Sequence, residues 1–136
     1  TEREHLNWLH TKVETGEEYQ TIICDIETDK PYGSVYIQDI DKKHNKGEFG
    51  IFIGEDEARG RGVGTAAAKL ILRAAFEELK LHRIYLRLLA DNDAAYNSYI
   101  KAGFEKEGVL KGDVFLEGRY VDVIWMAIIN PNDTVG

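Results

Sequence analysis

The chain has little sulfur, little proline and a deficit of cations. It holds one cysteine, one methionine and two prolines in 136 residues. A single thiol, Cys24, excludes an internal disulfide framework and suits a reducing cytoplasm. Cys24 lies in an apolar, strand-like run, so a buried inert thiol is expected rather than a nucleophile. No apolar run approaches the length of a membrane span, and no cleavable signal peptide is visible, so no membrane partner is expected. Lys and Arg number 17 against 24 Asp and Glu, a formal net charge of −7. That balance argues against nucleic acid as the main partner and permits a cationic one. The four histidines, His5, His10, His44 and His82, have no metal-ligand spacing and no Cys/His cluster exists, so no metal is expected. What remains is an ordinary globular mix, 43% hydrophobic and 30% charged, sized for one domain over 1–136 with a frayed tail at 131–136.

Periodicity divides the chain into elements. Thr1-Glu2-Arg3-Glu4 reads as a capping box, with Leu6, Leu9 and Val13 at helical spacing behind it. Tyr19–Ile26 is a β-rich run, Thr28–Gly33 a turn, and Ser34–Ile40 an alternating strand with Val35, Ile37 and Asp39 on one face and Tyr36 on the other. His44-Asn45-Lys46-Gly47 is another turn, and Glu48–Ile53 a third strand. Short turns between these three strands predict an antiparallel meander. A helix is predicted over about Gly62–Lys80, with Val63, Ala67, Leu70, Ile71, Ala74, Ala75 and Leu79 in one apolar stripe. The strand Ile84–Leu89 follows. A shorter helix then starts after Asn92 and ends at Gly103, a natural left-handed C-terminal glycine. Two long strands from Phe104 to Ile129 turn around Leu116-Glu117-Gly118. There is no internal repeat, linker or low-complexity tract.

The stretch Arg59-Gly60-Arg61-Gly62-Val63-Gly64-Thr65 stands between a strand and a helix. Glycines let a backbone approach phosphate oxygens closely. The first helical amides point outward unpaired, and the macrodipole adds positive potential there. Arg59 and Arg61 add side-chain charge. A turn that merely starts a helix would also use glycine, but strand, glycine turn and helix in this order favour an anion site. The run is not a P-loop, which needs Gly-x-x-x-x-Gly-Lys-Ser/Thr. It is not a dinucleotide fingerprint, because the third glycine falls at Gly64 and Thr65 occupies the required place.

Read from Arg59, the run resembles the Gln/Arg-x-x-Gly-x-Gly/Ala acyl-CoA pyrophosphate loop of the GNAT superfamily of N-acetyltransferases. Asn92-Asp93-Ala94-Ala95-Tyr96-Asn97-Ser98-Tyr99-Ile100-Lys101-Ala102-Gly103-Phe104 resembles that family's Asn-x-x-Ala-x-x-x-Tyr-x-x-x-Gly-Phe signature. Leu81–Leu86 and Glu117–Val123 are similar to the branch with ribosomal-protein alanine and spermidine N-acetyltransferases. The resemblance spans essentially the whole chain. It implies a mixed α/β (α+β) fold, a mostly antiparallel sheet flanked by helices and splayed centrally to hold acyl-CoA. In this chain the family's usual first strand and helix are expected to be missing, and with them part of the acceptor pocket.

The resemblance also implies the chemistry, transfer of acetyl from acetyl-CoA to an amine by direct attack in a ternary complex. Phe52 and Ile53 are expected to meet the pantetheine, a backbone amide there polarising the thioester carbonyl. A fixed donor to a developing oxyanion is worth about 3–4 kcal/mol in comparable sites. The same side chains could instead serve the sheet core. Gly60, Arg61, Gly62, Val63, Gly64 and Thr65 would hold the pyrophosphate, with Arg59 adding charge. Asn92 would bind the pantetheine or cap its helix. Tyr99 occupies the family's tyrosine position, and a phenol of pKa about 10 can protonate a departing thiolate whose acid titrates near about 8.5. Tyr96, three residues earlier, is its rival. An alkyl ammonium of pKa about 10.4 must lose a proton before it attacks. Glu48 is the candidate base, directly or through water, or else an ordinary exposed strand carboxylate. Cys24 is badly placed for a ping-pong route. The acceptor could be a protein N-terminal amine, a polyamine or an amino sugar, and a homodimer through the long C-terminal strands is a reasonable expectation. Two other readings remain open. One is a non-catalytic acyl-CoA-binding module. The other is a Rossmann-type nucleotide domain with Asp91 on the ribose, against which the hairpin-length turns argue.

Overall fold

The computed structural model describes residues 6–12, 18–25, 31–53 and 63–133. Seven strands and two helices follow in the order β1 (Leu6–Lys12), β2 (Tyr19–Asp25), β3 (Pro31–Asp41), β4 (Lys46–Ile53), α1 (Val63–Glu77), β5 (Arg83–Leu89), α2 (Asp93–Ala102), β6 (Glu105–Leu116) and β7 (Arg119–Ile129). They form one sheet in the order β1-β2-β3-β4-β5-β7-β6. The predicted meander is present, with β2, β3 and β4 paired antiparallel in sequence. The one parallel pair among the described strands is β4 with β5, and α1 is the crossover such a pair requires.

The N-terminal helix expected from Leu6, Leu9 and Val13 is corrected. Leu6–Lys12 is a strand, paired antiparallel with β2 from Leu6↔Asp25 to Lys12↔Tyr19. The physical reason is competition for backbone partners. An isolated segment of this length makes few helical hydrogen bonds, whereas the free edge of β2 offers a partner along its whole length. The capping-box residues and Val13 lie outside the described residues. Asp39 is a second correction, because it does not share the buried face of Val35 and Ile37. Its φ of 51° sits where the β3–β4 register shifts between Gln38 and Asp41, and it is exposed.

Both helices pack on one face of the sheet. Ala67, Ala68, Ile71, Leu72, Ala75 and Phe76 of α1 are buried, whereas Leu70, Ala74 and Leu79 of the predicted stripe are only half-buried, so the buried face is turned toward Ala68, Leu72 and Phe76. They meet Val35, Ile37, Phe49, Ile84, Leu86, Phe104 and Met126 in one core. Burying one such large side chain fully contributes about 1.5–3 kcal/mol. Small alanines on α1 let the helix approach the sheet closely. Asn92 caps α2, its side chain accepting from the Ala95 amide at 3.1 Å, and Gly103 ends it with a φ of 113°. Glu117 and Gly118, with φ of 50° and 79°, make the two-residue turn that matches strand twist between β6 and β7. Pro131–Asp133 form a turn rather than a frayed end. The Asp133 amide donates to Asn130, and the Asp133 carboxylate meets His82 at 2.7 Å. No helix among the described residues is long and apolar enough to cross a membrane.

Candidate functional site

β4 and β5 pair only over Lys46–Glu48 and Arg83–Tyr85. Each then keeps its outer neighbour, β4 as far as Ile53↔Gly33 and β5 as far as Leu89↔Val123. The sheet therefore divides between them. A cavity of about 420 Å³ lies at the division, walled by Phe49, Gly50 and Ile51 of β4, Leu86–Leu89 of β5, and Tyr99 of α2. That volume is in the range of small-molecule sites. Past Glu48 and Tyr85 the facing strand edges form no β4–β5 ladder pairs among the described residues. Backbone amides and carbonyls there need partners from outside the sheet. An extended ligand with amide groups of its own supplies them, so the division fits a pantetheine arm.

Tyr99 sits on the cavity wall, half-buried, with its ring edge-on to Phe49 at 5.7 Å and to Phe104 at 6.0 Å. Burial, and secondarily the neighbouring Tyr36, hold its phenol above the ordinary range, so it stays protonated at neutral pH. Tyr96 packs against the core and does not line the cavity.

Glu48 is only 5% exposed, which corrects the reading of it as an ordinary exposed carboxylate. Arg87 donates from Nε to Oε2 at 2.7 Å and from Nη2 to Oε1 at 3.2 Å. Gln38 donates to Oε1 at 3.4 Å. The bond to Glu48 in turn raises the Arg87 pKa. The Arg87 guanidinium also lies over the Trp125 ring at 5.5 Å, and Trp125 stacks on Tyr85 at 5.6 Å. Glu48 is thus a buried carboxylate fixed on the cavity wall by a fork of donors, itself braced by an aromatic stack.

The remaining candidates are more scattered. Phe52 is 64% exposed near the end of β4, which removes it from the sheet core, and it does not line the cavity. Ile53 ends β4. The cavity follows Gly50 and Ile51 instead, one to three residues earlier. Arg59, Gly60, Arg61 and Gly62 lie outside the described residues. Val63 and Gly64 open α1. Thr65 in its first turn bonds to Ser98 of α2, oxygen to oxygen at 2.9 Å. Ser98 adjoins Tyr99, so the first turn of α1 is tethered beside the cavity. Asn92 is engaged as a helix cap. Asp91 is paired with Arg119 at 2.7 Å. No group of three or more His, Cys, Asp and Glu among the described residues could hold a metal ion.

Tyr36, Gln38, Arg87 and Asp113 also line the cavity and were not singled out from the sequence. One signal was available. Arg87 is a charged residue inside the apolar alternation Ile84–Leu89, as Glu48 is near the start of β4. Their pairing spans 39 positions and has no local trace.

Similarity to known proteins agrees with this geometry. A family profile for the acetyltransferase (GNAT) domain matches residues 1–105. A probable N-acetyltransferase of Bacillus subtilis is 31% identical over 132 residues, covering 97% of this chain and 73% of the relative. Spermidine N(1)-acetyltransferase of Escherichia coli is 38% identical over 96 residues, 71% of this chain but 51% of the relative, so the chain spans about half of that enzyme's length. Among solved structures, the spermidine N-acetyltransferase of Vibrio cholerae in complex with CoA and spermine superposes with a TM-score of 0.78. It is 32% identical over 84% of this chain and 66% of that one. A divided mostly antiparallel sheet, a helix-borne tyrosine at the division and these similarities identify the chain as a member of the GNAT acetyltransferase family.

Proposed function

We propose that the protein moves an acetyl group from acetyl-CoA to a primary amine by direct attack in a ternary complex. The observation that carries the reading is the cavity at the β4–β5 division, with Tyr99 on one wall and the buried Glu48 on another. Acetyl-CoA supplies an activated thioester. The attacking nitrogen forms the new C–N bond as the C–S bond breaks. Tyr99, kept in its phenol form by burial, donates the proton that the departing thiolate takes up. Glu48, directly or through water, receives the proton that the amine loses. Arg87 and Gln38 keep the carboxylate from rotating away. The mechanism draws most of its acceleration from holding amine and thioester side by side.

In this reading Arg59–Thr65 hold the pyrophosphate. The Thr65–Ser98 bond supports it by tethering that helix start next to the tyrosine. The pantetheine runs along Gly50 and Ile51, with Phe52 and Ile53 at its outer end. The relatives named for spermidine make polyamines one acceptor class, and protein N-terminal amines another. The exposed apolar side chains of the β6–β7 hairpin, Val109, Leu110, Phe115, Leu116 and Tyr120, support a homodimer across that hairpin.

Titration calorimetry with acetyl-CoA, with NAD and ATP as controls, tests the ligand, and thiol release in the presence of amines tests the reaction. Micromolar binding of acetyl-CoA alone, with amine-dependent thiol release, is expected. Equal binding of NAD, or binding without turnover on any amine, overturns the proposal. Gly62→Asp is expected to abolish acetyl-CoA binding, and an unchanged affinity would remove the loop assignment.

A further inference from the structure

We propose that Asp113 is a specificity-determining residue that reads a positive charge on the acceptor remote from the reacting nitrogen. The proposal rests on the amine-transfer reading above and names the acceptor class within it, an amine with a second cationic group.

The argument is a charge count of the cavity wall. Among the described residues that line it, those with full charges are Glu48, Arg87 and Asp113. Glu48 and Arg87 neutralise each other through two hydrogen bonds. Asp113 has no hydrogen bond or ion pair from its side chain among the described residues, so the wall keeps one uncompensated negative charge. The reacting amine arrives as an ammonium but hands its proton to Glu48 before it attacks, so it does not stay paired with that charge. A second ammonium on the same molecule can.

The backbone around Asp113 is built to place it. The β6–β7 register shifts between Leu110 and Val114, so the residues between them leave the ladder. Gly112 takes a φ of 60° there, and its amide donates to the Asp122 carboxylate at 2.8 Å. A bulge of this kind re-aims a side chain beside a site at the cost of pairing. Its product is that Asp113, on an otherwise exposed edge strand, reaches the cavity wall. Exposure to water weakens its field, so the expected preference is about tenfold rather than thousands.

The test compares two acceptors of equal carbon length, cadaverine and pentylamine, by kcat/KM in a thiol-release assay at low salt. The protein is expected to prefer cadaverine about tenfold. Asp113→Asn is expected to bring the two amines to parity through a higher KM for cadaverine, with pentylamine and acetyl-CoA unaffected. Asp113→Glu, which keeps the charge, is expected to retain most of the preference. Equal use of both amines by the unaltered protein, or an undiminished preference in Asp113→Asn, overturns the assignment and leaves amine transfer standing. A loss of both amines in parallel would mean a structural role and also overturns it. No thiol release with either amine defeats the amine-transfer reading, and the role of Asp113 falls with it.

Discussion

Two glycines of β4 sit on opposite faces of the sheet, and replacing each by alanine separates what holds the fold from what shapes the site. A β-carbon on Gly47 would lie 2.6 Å from Cγ2 of Ile37, a side chain with no exposed surface. Ile37 packs under the helices and has nowhere to go. Overpacking of this kind costs about 1–3 kcal/mol, partly offset by the loss of glycine's freedom in the unfolded chain, about 0.4–1 kcal/mol. A net loss of about 1–2 kcal/mol lowers Tm by roughly 4–8 °C in a domain of this size. A β-carbon on Gly50 would meet the outer ring atoms and hydroxyl of Tyr36, a closer clash than that at Gly47. Yet its partner is the far end of a flexible side chain bordering the open cavity. Tyr36 can swing away, so Gly50→Ala is expected to cost less than about 1 kcal/mol, and the displaced ring to intrude on the cavity. The assays are thermal melts followed by circular dichroism and steady-state kinetics of acetyl transfer. Gly47→Ala should melt lower with little change in KM, and Gly50→Ala should melt almost normally with a severalfold higher KM. The reverse pattern, or equal melting losses, would refute the division of the sheet into a packed face and a site face.

Three further outcomes follow from the site. Tyr99→Phe is expected to lower turnover by about 10²-fold or more with acetyl-CoA affinity nearly unchanged; equal turnover would move the acid role elsewhere. Because burial raises the Tyr99 pKa, the phenol keeps its proton as pH rises through the neutral range, and the decline in kcat it causes should fall above about pH 10, the ordinary value. A decline centred near neutrality that vanishes in Tyr99→Phe would contradict this. Asn92→Ala is expected to cost about 1 kcal/mol, as for a lost helix cap, with unchanged affinity for acetyl-CoA; a weakened affinity would restore Asn92 to the binding site.

Much of this molecule could be read from local pattern. The glycine-ended helix α2, the tight β6–β7 turn and the β2–β3–β4 meander all follow from side-chain period and turn chemistry within a few residues. Tyr99 could be placed because its signature is continuous along one helix. The parts that were missed depend on distance or competition. Leu6–Lys12 carries helical spacing, but β2 offers an unpaired edge that local pattern does not contain. Asp39 fits the alternation of Val35 and Ile37 until a left-handed residue breaks the register. Asp113 sits within a run that reads as one regular strand, and the shift that brings it to the cavity depends on Asp122 in the next strand. Glu48 could be nominated from position, but its burial follows from Arg87, far along the chain.

The Glu48–Arg87 pair gives the sharpest test of whether that buried carboxylate is structural or functional. Glu48 is almost wholly covered, whereas the Arg87 side chain is half exposed. Removing the arginine therefore strands a charge in the less solvated position. Losing one partner of a fully buried pair costs about 3–5 kcal/mol, and the solvent around Arg87 reduces this to about 1–3 kcal/mol. Arg87→Ala should thus destabilise more than Glu48→Gln, which keeps the shape and leaves only an exposed guanidinium with its Trp125 contact. Catalysis should rank differently. Glu48→Gln removes the proposed proton acceptor outright and should abolish most turnover at every pH. Arg87→Ala should retain partial turnover at temperatures where it remains folded, because the carboxylate is still present though less firmly held. Matching losses of turnover and stability across the two variants would mean that Glu48 serves only the fold. A Glu48→Gln protein that melts nearly normally but transfers little acetyl would assign the carboxylate to the reaction and the arginine to its placement.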